Sequence, residues 1–389
     1  MRKITVFFII LAAFALYGAI PVCAAGSNDI EIRVNGVTLA ADTMPVIRSD
    51  RVYAPLRAIA ESLSYNVDYN DATRTATISN NNTIIQISLN GLTATLNGEA
   101  VQMPAPALNL NGRIMVPVRF ITESFDCLVN WTDYGTQSDG PRGLVDIYGG
   151  DPTSINGSQT ISSVYYTYSK PIGDPDGHMV TCNYAVPQIH GLKDKGFEAS
   201  FNKSFRDKLD RIKQTVSEGE KDAIASAADA NAYAYDFEYD GGYTCSAIGS
   251  SIITISLNDY IYSGGAHGMP YKHCNVIDVS KSKTLTLHDV LKPGQASEAA
   301  VVKAINDLAA ASPDDYGLFS ETNTVTADEV FRSDSGTEKT GNFYFEGGSL
   351  VIFFQPYEIG PYSMGFITFK IPAGKIADYI QPEYLQIMQ

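Results

Sequence analysis

At 389 residues, with 44% hydrophobic and 11% aromatic content, the chain is long enough for two cored domains and too apolar to be disordered. Its formal charge of −15 repels nucleic acid and anionic lipid. It also draws cationic partners over a Debye length of about 10 Å, or merely keeps an exported chain dispersed.

Arg2 and Lys3 open the chain, Ile4 to Leu16 is an almost unbroken apolar stretch, Gly18 and Pro21 interrupt it, and Ala24, Ala25 and Gly26 follow. That order predicts a secretory signal peptide over residues 1–25 with Val22-Cys23-Ala24 as the cleavage triplet. Two other readings stand beside it. One is an uncleaved anchor, since about 20 uncharged residues just span a bilayer; the other is a lipoprotein at Cys23, which the bulky Val22 disfavours. No later stretch has the length and apolarity of a membrane span. A bacterial chain that is secreted or held at the cell surface or wall is therefore expected, with no membrane span after signal removal. Losing Arg2 and Lys3 takes its charge of −15 down by two, to about −17. Losing Cys23 leaves Cys127, Cys182, Cys245 and Cys274, which allow three pairings; a Cys182–Cys245 bridge is one expectation.

Residues 30–148 hold an internal repeat with an offset of 62 residues (Arg51 to Arg113). The block 51–63, Arg-Val-Tyr-Ala-Pro-Leu-Arg-Ala-Ile-Ala-Glu-Ser-Leu, returns as 113–125, Arg-Ile-Met-Val-Pro-Val-Arg-Phe-Ile-Thr-Glu-Ser-Phe. In the same register Val34-Asn35-Gly36 returns as Leu96-Asn97-Gly98, and Val67-Asp68-Tyr69 as Val129-Asn130-Trp131. Asn-Gly between apolar residues predicts a hairpin. A short strand then meets Pro55 or Pro117, suited to a first helical turn. Leu56, Ile59, Ala60 and Leu63 follow at helical spacing, with Arg57 and Glu61 one turn apart as an exposed ion pair. Each copy reads as hairpin, helix, hairpin.

This pattern, V-P-[LV]-R-x-[IL]-x-E-x-[LF] before a strand ending in Trp or Tyr, resembles the copper-amine-oxidase N-terminal-like domain of bacterial surface and secreted proteins. The resemblance implies an envelope-associated structural or adhesive module and no oxidase. All five histidines lie at 178 or later, so the module lacks the imidazoles a copper site wants.

Residues 149–163 turn to Gly, Ser, Asp, Asn and Thr, the composition of a flexible linker. A larger α+β domain with mainly antiparallel sheet is expected over 164–385. Strands are predicted at 164–170, 178–188, 233–239, 250–257, 275–279, 350–355 and 366–371. Helices are predicted at 196–216, 296–311 and 373–379. Phe197, Phe201, Phe205, Leu209, Ile212 and Val216 give the first helix its core stripe. Tyr233, Tyr235, Phe237 and Tyr239 alternate as one strand face.

Tyr262-Ser263-Gly264-Gly265-Ala266-His267-Gly268, the stretch Lys283 to Leu291, and the stretch Phe354 to Gly365 with its Gln355-Pro356-Tyr357-Glu358 core carry a second resemblance. Their order is similar to the extracytoplasmic domain of the lysozyme-sensing anti-sigma factor RsiV, a domain also found beside peptidoglycan deacetylases as a non-catalytic part. The resemblance implies binding of a lysozyme-like basic protein or of peptidoglycan. Anti-sigma activity does not carry over, because a signal peptide and the duplicated module stand where RsiV has its sigma-binding segment and membrane helix.

No nucleophile elbow, P-loop or dinucleotide fingerprint is present, and no cofactor is expected. His267, His273, Cys274 and His288 form the one sequence cluster with ligand potential, but their spacing is not that of a closed zinc site. Tyrosine, at 23 residues, is in surplus, and offers stiff amphipathic contact area. The candidate partner-binding residues are Tyr260, Tyr262, Gly264, Gly265, His267, Gly268, Tyr271, Tyr357, Glu358 and Tyr362. Two alternatives compete with a binding protein: a peptidoglycan-modifying hydrolase using His267 with Glu358, and a structural surface protein with no specific ligand.

Overall fold

Both Asn-Gly turns of the repeat form as left-handed pairs, Asn35 and Gly36 at φ 48° and 75°, Asn97 and Gly98 at φ 52° and 91°. The computed structural model describes residues 30–388 except 81, 82, 90, 126, 134–142, 151, 230, 231, 320–323 and 334; the expected signal peptide lies outside the described residues. Strands Arg51–Pro55 and Arg113–Pro117 pair antiparallel with Ala54 opposite Val116, its own equivalent one repeat later. A residue that meets its own equivalent marks a two-fold axis, so the duplication is an internal dyad. Tyr65 and Cys127, again equivalents, touch through Oη and Sγ at 3.9 Å.

The copies also exchange strands. Ile30–Val34 of the first pairs with Gly143–Tyr148 of the second, while the strands at 66–79 of the first reach the hairpin at 93–102 of the second through Ile84–Ser88. One core, with Ile59, Leu63, Ile78, Ile121 and Ile147 among its members, serves both copies. Helices Leu56–Ser62 and Val118–Glu123 begin one residue after Pro55 and Pro117, which close the preceding strands instead of opening the helices. The ion pairs Arg57–Glu61 at 3.2 Å and Arg119–Glu123 at 3.7 Å sit on their exposed faces.

The larger domain is α+β and mainly antiparallel, as the sequence predicts. Its seven-stranded sheet runs in chain order from Thr153–Ser154 to Lys283–Thr284, with one parallel pair, Met179–His190 against Phe237–Ile248. A parallel pair requires a crossover, and helix Lys195–Ala228 supplies it. Asp194 caps the helix by accepting from the backbone N–H of Phe197 at 2.9 Å. The buried stripe Phe201, Phe205, Leu209, Ile212, Val216 continues as Gly219 and Ala223, small residues that the search for large apolar side chains passes over. Gly219 is required there: a Cβ would lie 2.2 Å from the ring of Phe237. That strand begins only at Phe237, because Asp236 turns its carboxylate to the backbone N–H of Met179 at 2.7 Å. Tyr233 and Tyr235 precede it, and Tyr233 is exposed.

A second core forms around the three-stranded sheet Phe343–Glu346, Ser349–Phe354 and Ile367–Pro372 and helices Gln295–Ala311 and Ala327–Phe331. Ile252 and Val276 of the seven-stranded sheet belong to it. Pro382–Met388 adds a last helix, with Tyr384 buried, that the sequence reading did not include.

The 149–163 stretch is packed between the two units. Strand Thr160–Pro171 starts inside it, and Ile161 is fully buried. Asn35, itself buried, donates to Gly149 O at 2.9 Å and accepts from Gly149 N at 3.0 Å and from the Ser163 hydroxyl at 2.6 Å. The Cys245 N–H donates to Gly36 O at 2.7 Å. One hairpin turn of the repeat is thus plugged into the sheet of the larger domain.

Cys127, Cys182, Cys245 and Cys274 are buried, and Cys182, Cys245 and Cys274 are free thiols. Cys182 stands opposite Tyr239, six positions along the strand from Cys245. At about 3.3 Å per residue that is about 20 Å, beyond any disulfide's reach, so the expected bridge does not form. Burial pushes the Cys182 and Cys245 thiols up to about 12, which keeps them unreactive. Dithiothreitol is therefore expected to leave Tm unchanged in a thermal melt; a drop would reveal a bridge.

Candidate functional site

Strands Ile252–Ser263 and Met269–Asp278 form a hairpin, and the Gly-Gly-Ala-His-Gly segment is its turn. Gly264 and Gly265 take φ +86° and +99°, which ordinary residues avoid. Tyr262 closes the turn by donating its hydroxyl to Gly265 O at 3.1 Å. The carbonyl of Gly268 accepts from His267 Nδ1 at 3.0 Å and from the Tyr362 hydroxyl at 2.8 Å. A carbonyl only accepts, so the imidazole proton sits on Nδ1 and Nε2 is left to accept from the Tyr357 hydroxyl at 3.2 Å. The His267 ring stacks on Tyr362 with centroids 3.8 Å apart, and Tyr357 adjoins Tyr362 at 5.6 Å. Gly268 makes room for Tyr260, whose ring would lie 2.4 Å from a Cβ there.

The Gln-Pro-Tyr-Glu segment holds the other side. Gln355 accepts from Lys272 N at 3.0 Å and donates to Lys272 O at 2.8 Å, pinning this turn to the hairpin. Glu358 accepts from the Gln355 N–H at 2.7 Å through one oxygen and from the Lys339 ammonium through the other. With the Glu358 N–H donating to Gln355 O at 3.1 Å, the turn is closed at both ends. Tyr357, between them, is held at φ +69° and left 50% exposed. A non-glycine residue in that region is strained, and the surrounding bonds over-determine it. Glu358 is accordingly an anchor of the turn. Glu358→Gln is expected to lower stability by about 1–3 kcal/mol in denaturant unfolding, because it removes the counter-charge of the mostly buried Lys339 ammonium and leaves it only Glu329 O and the face of Phe354.

Of the ten residues expected at the surface, Tyr260, Tyr262, Gly264, Gly265, His267, Gly268, Tyr357 and Tyr362 come together, with Glu358 behind them. Tyr271 does not join. It pairs with Asp259 while its neighbour Pro270 pairs with Tyr260, so strand alternation puts it on the opposite face, the side of the long helix. Gln355 and Lys339 were missed; Gln355 stands in the quoted motif, but a glutamine that bonds backbone carries no periodic signal.

The histidine cluster read from the sequence separates. His288 bridges Glu338 at 2.6 Å and Glu298 at 3.1 Å, and Cys274 meets the Ser256 hydroxyl at 2.9 Å. Among the described residues, the side chains that converge within one ion's reach are Asp174, Asp176 and His178, at the turn before Met179–His190. Asp174 already binds His178 there, at Nδ1 (2.6 Å) and at the backbone N–H (2.9 Å), which accounts for the grouping as turn closure. No helix among the described residues is long and apolar enough to cross a membrane.

Comparison with known proteins divides the chain as the cores do. Residues 33–137 match the copper amine oxidase N-terminal domain, 176–270 match a family described as deacetylase PdaC, and 288–374 match DUF3298, a family of unknown function. No curated protein matches. A DUF3298-family protein of Bacteroides fragilis is similar at 18% identity and TM-score 0.47, over 61% of this chain and 99% of that one. A DUF3298-family protein of Pseudomonas aeruginosa is similar at 17% identity and TM-score 0.37, over 57% and 95%. From N- to C-terminus the chain thus carries a copper amine oxidase N-terminal domain match, a PdaC match and a DUF3298 match, and the last two point to a cell-envelope-associated protein.

Proposed function

We propose that this is an exported, non-catalytic envelope protein whose C-terminal domain binds a lysozyme-like basic protein or a cell-wall component through the His267–Tyr362–Tyr357 platform. The observation that carries the reading is the stack itself: exposed aromatic rings fixed by hydrogen bonds to each other and to backbone. Stiff rings lose little entropy on binding, so most of their contact area becomes affinity. A formal charge of −15 suits a basic partner. Glu358 spends its oxygens on Lys339 and Gln355, and His267 its nitrogens on Gly268 and Tyr357, so the two are not engaged as a proton-transfer pair. Calorimetric titration of the mature chain with lysozyme and with purified peptidoglycan tests the proposal. Saturable binding to either supports it. Silence toward both, or cleavage of peptidoglycan, removes it.

A further inference from the structure

An open trough of about 680 Å³ lies between the N-terminal module, the seven-stranded sheet and the three-stranded sheet. That volume falls within the ~300–1,000 Å³ of small-ligand sites. Strand alternation builds its floor. Cys245, Ile253, Ile255 and Leu257 enter the core under the long helix, so Thr244, Ser246, Thr254, Ser256 and Asn258 face the other way. The register sets Thr244 beside Ser256, Ser246 beside Thr254, and Asn258 beside Lys272. Thr254 and Ser256 are only 5% and 8% exposed. Hydroxyls are thus laid where overhanging walls exclude most water and a closed core would take aliphatic side chains.

Asn130 and Asp146, paired across neighbouring strands, form the wall on the module's side, while the Trp131 ring lies over Gly143 on the opposite face of that sheet. Tyr344 and Phe366 stand on the opposite side. The charges along the trough already have partners, with one exception. Arg33 holds Glu31 by two bonds of 2.8 and 3.0 Å, and the Lys272 ammonium lies over the rings of Tyr344 and Phe353 at 4.7 and 4.8 Å. Asp240 accepts from Asn183 N at 2.8 Å, and Glu346 pairs with Lys370 at 3.1 Å. Asp146 is the exception: its Oδ1 is buried with no hydrogen-bond partner. A buried, unpaired acceptor costs about 1–3 kcal/mol unless a donor arrives.

Among the described residues an anion finds no unpartnered cation here, and an acyl chain finds a hydroxyl floor. A group that both donates and accepts, and has C–H faces to lay against aromatic rings, fits all the walls. We infer that the trough binds a saccharide, with a sugar hydroxyl donating to Asp146 Oδ1, further hydroxyls on Asn258 and the Ser/Thr floor, and a ring face against Tyr344 and Phe366. The inference stands apart from the aromatic platform and does not rest on it.

The mature protein is titrated with β-1,4-linked tetramers of N-acetylglucosamine and of glucose, and with tetralysine as a cationic peptide. Saturable binding of either sugar is expected in calorimetry, weakened at least tenfold in Asp146→Asn and in Asn258→Ala and unaltered in Tyr233→Ala, at an exposed residue outside both sites. The inference is overturned by an absence of saturable response to both sugars in calorimetry, by a response to tetralysine alone, or by sugar binding that both trough variants retain. Failure of lysozyme binding leaves these outcomes untouched, and the reverse also holds.

Discussion

Replacing Gly242 with alanine is expected to lower stability by about 3–5 kcal/mol, although alanine in a strand interior ordinarily gains about 0.5–1 kcal/mol over glycine. The reversed sign comes from Tyr148. Its ring crosses from the module onto the sheet, and a Cβ on Gly242 would lie 2.1 Å from its hydroxyl oxygen and 2.6 Å from Cζ. Tyr148 cannot move aside freely: it is fully buried, accepts from the Tyr243 N–H at 3.1 Å and donates to Tyr243 O at 3.3 Å. Overpacking of about 1–3 kcal/mol adds to the loss of those two bonds at about 1 kcal/mol each. Gly374→Ala is the control, since nothing lies within 4 Å of its added Cβ, and it should be neutral or stabilising. Urea unfolding of both variants checks this. Equal midpoints for Gly242→Ala and the parent would mean that the module is not seated on the sheet.

Asp146→Asn is expected to stabilise the unliganded protein at pH 8 by about 1–3 kcal/mol and to change little at pH 4. Burial raises the Asp146 carboxyl from 3.8 to about 7, with the nearby Arg33 opposing the shift and Glu31 adding to it. Between those values the folded state holds a proton that the unfolded state has released. Folding stability contributed by this group therefore falls as pH rises from about 4 to about 7. Asparagine carries no charge to desolvate and removes that fall, although its amide remains buried. Thermal melts at the two pH values read the difference directly. An equal effect at both would show that charge burial is not the cause.

Much of the fold was legible in the sequence because its signals are periodic. Phe201, Phe205 and Leu209 repeat at helical spacing, Asn35-Gly36 and Asn97-Gly98 demand left-handed turns, and the Arg51 and Arg113 blocks repeat at length. The helix's last turns were lost where the stripe passes to Gly219 and Ala223, small residues that pack closely and leave no hydrophobic mark. Strand exchange between the repeats was invisible, because each copy looks self-sufficient until the register of Ala54 against Val116 is known. The glycine pair Gly241-Gly242 carries no periodic signal; its purpose lies in the rings of Tyr184 and Tyr148 that approach it from other elements.

The candidate surface was legible to a similar depth. His267, Tyr357 and Tyr362 stood in dense motifs, and the fold brings them into one stack across a separation of 90 residues between His267 and Tyr357. Tyr271 was grouped with them by proximity in sequence and misplaced by one position of strand alternation. Asp146, Tyr344 and the polar floor carry no shared sequence signal. They lie on three different sheets, and only the docking of the N-terminal module brings them together.

Calorimetric titration of lysozyme into the parent protein and into Tyr357→Ala tests the aromatic platform most directly. Tyr357 is half-exposed and donates its hydroxyl only to His267, so its loss should leave Tm nearly unchanged. A central aromatic anchor is worth about 2 kcal/mol, and affinity is expected to weaken roughly thirtyfold. The same affinity in both proteins would contradict the account.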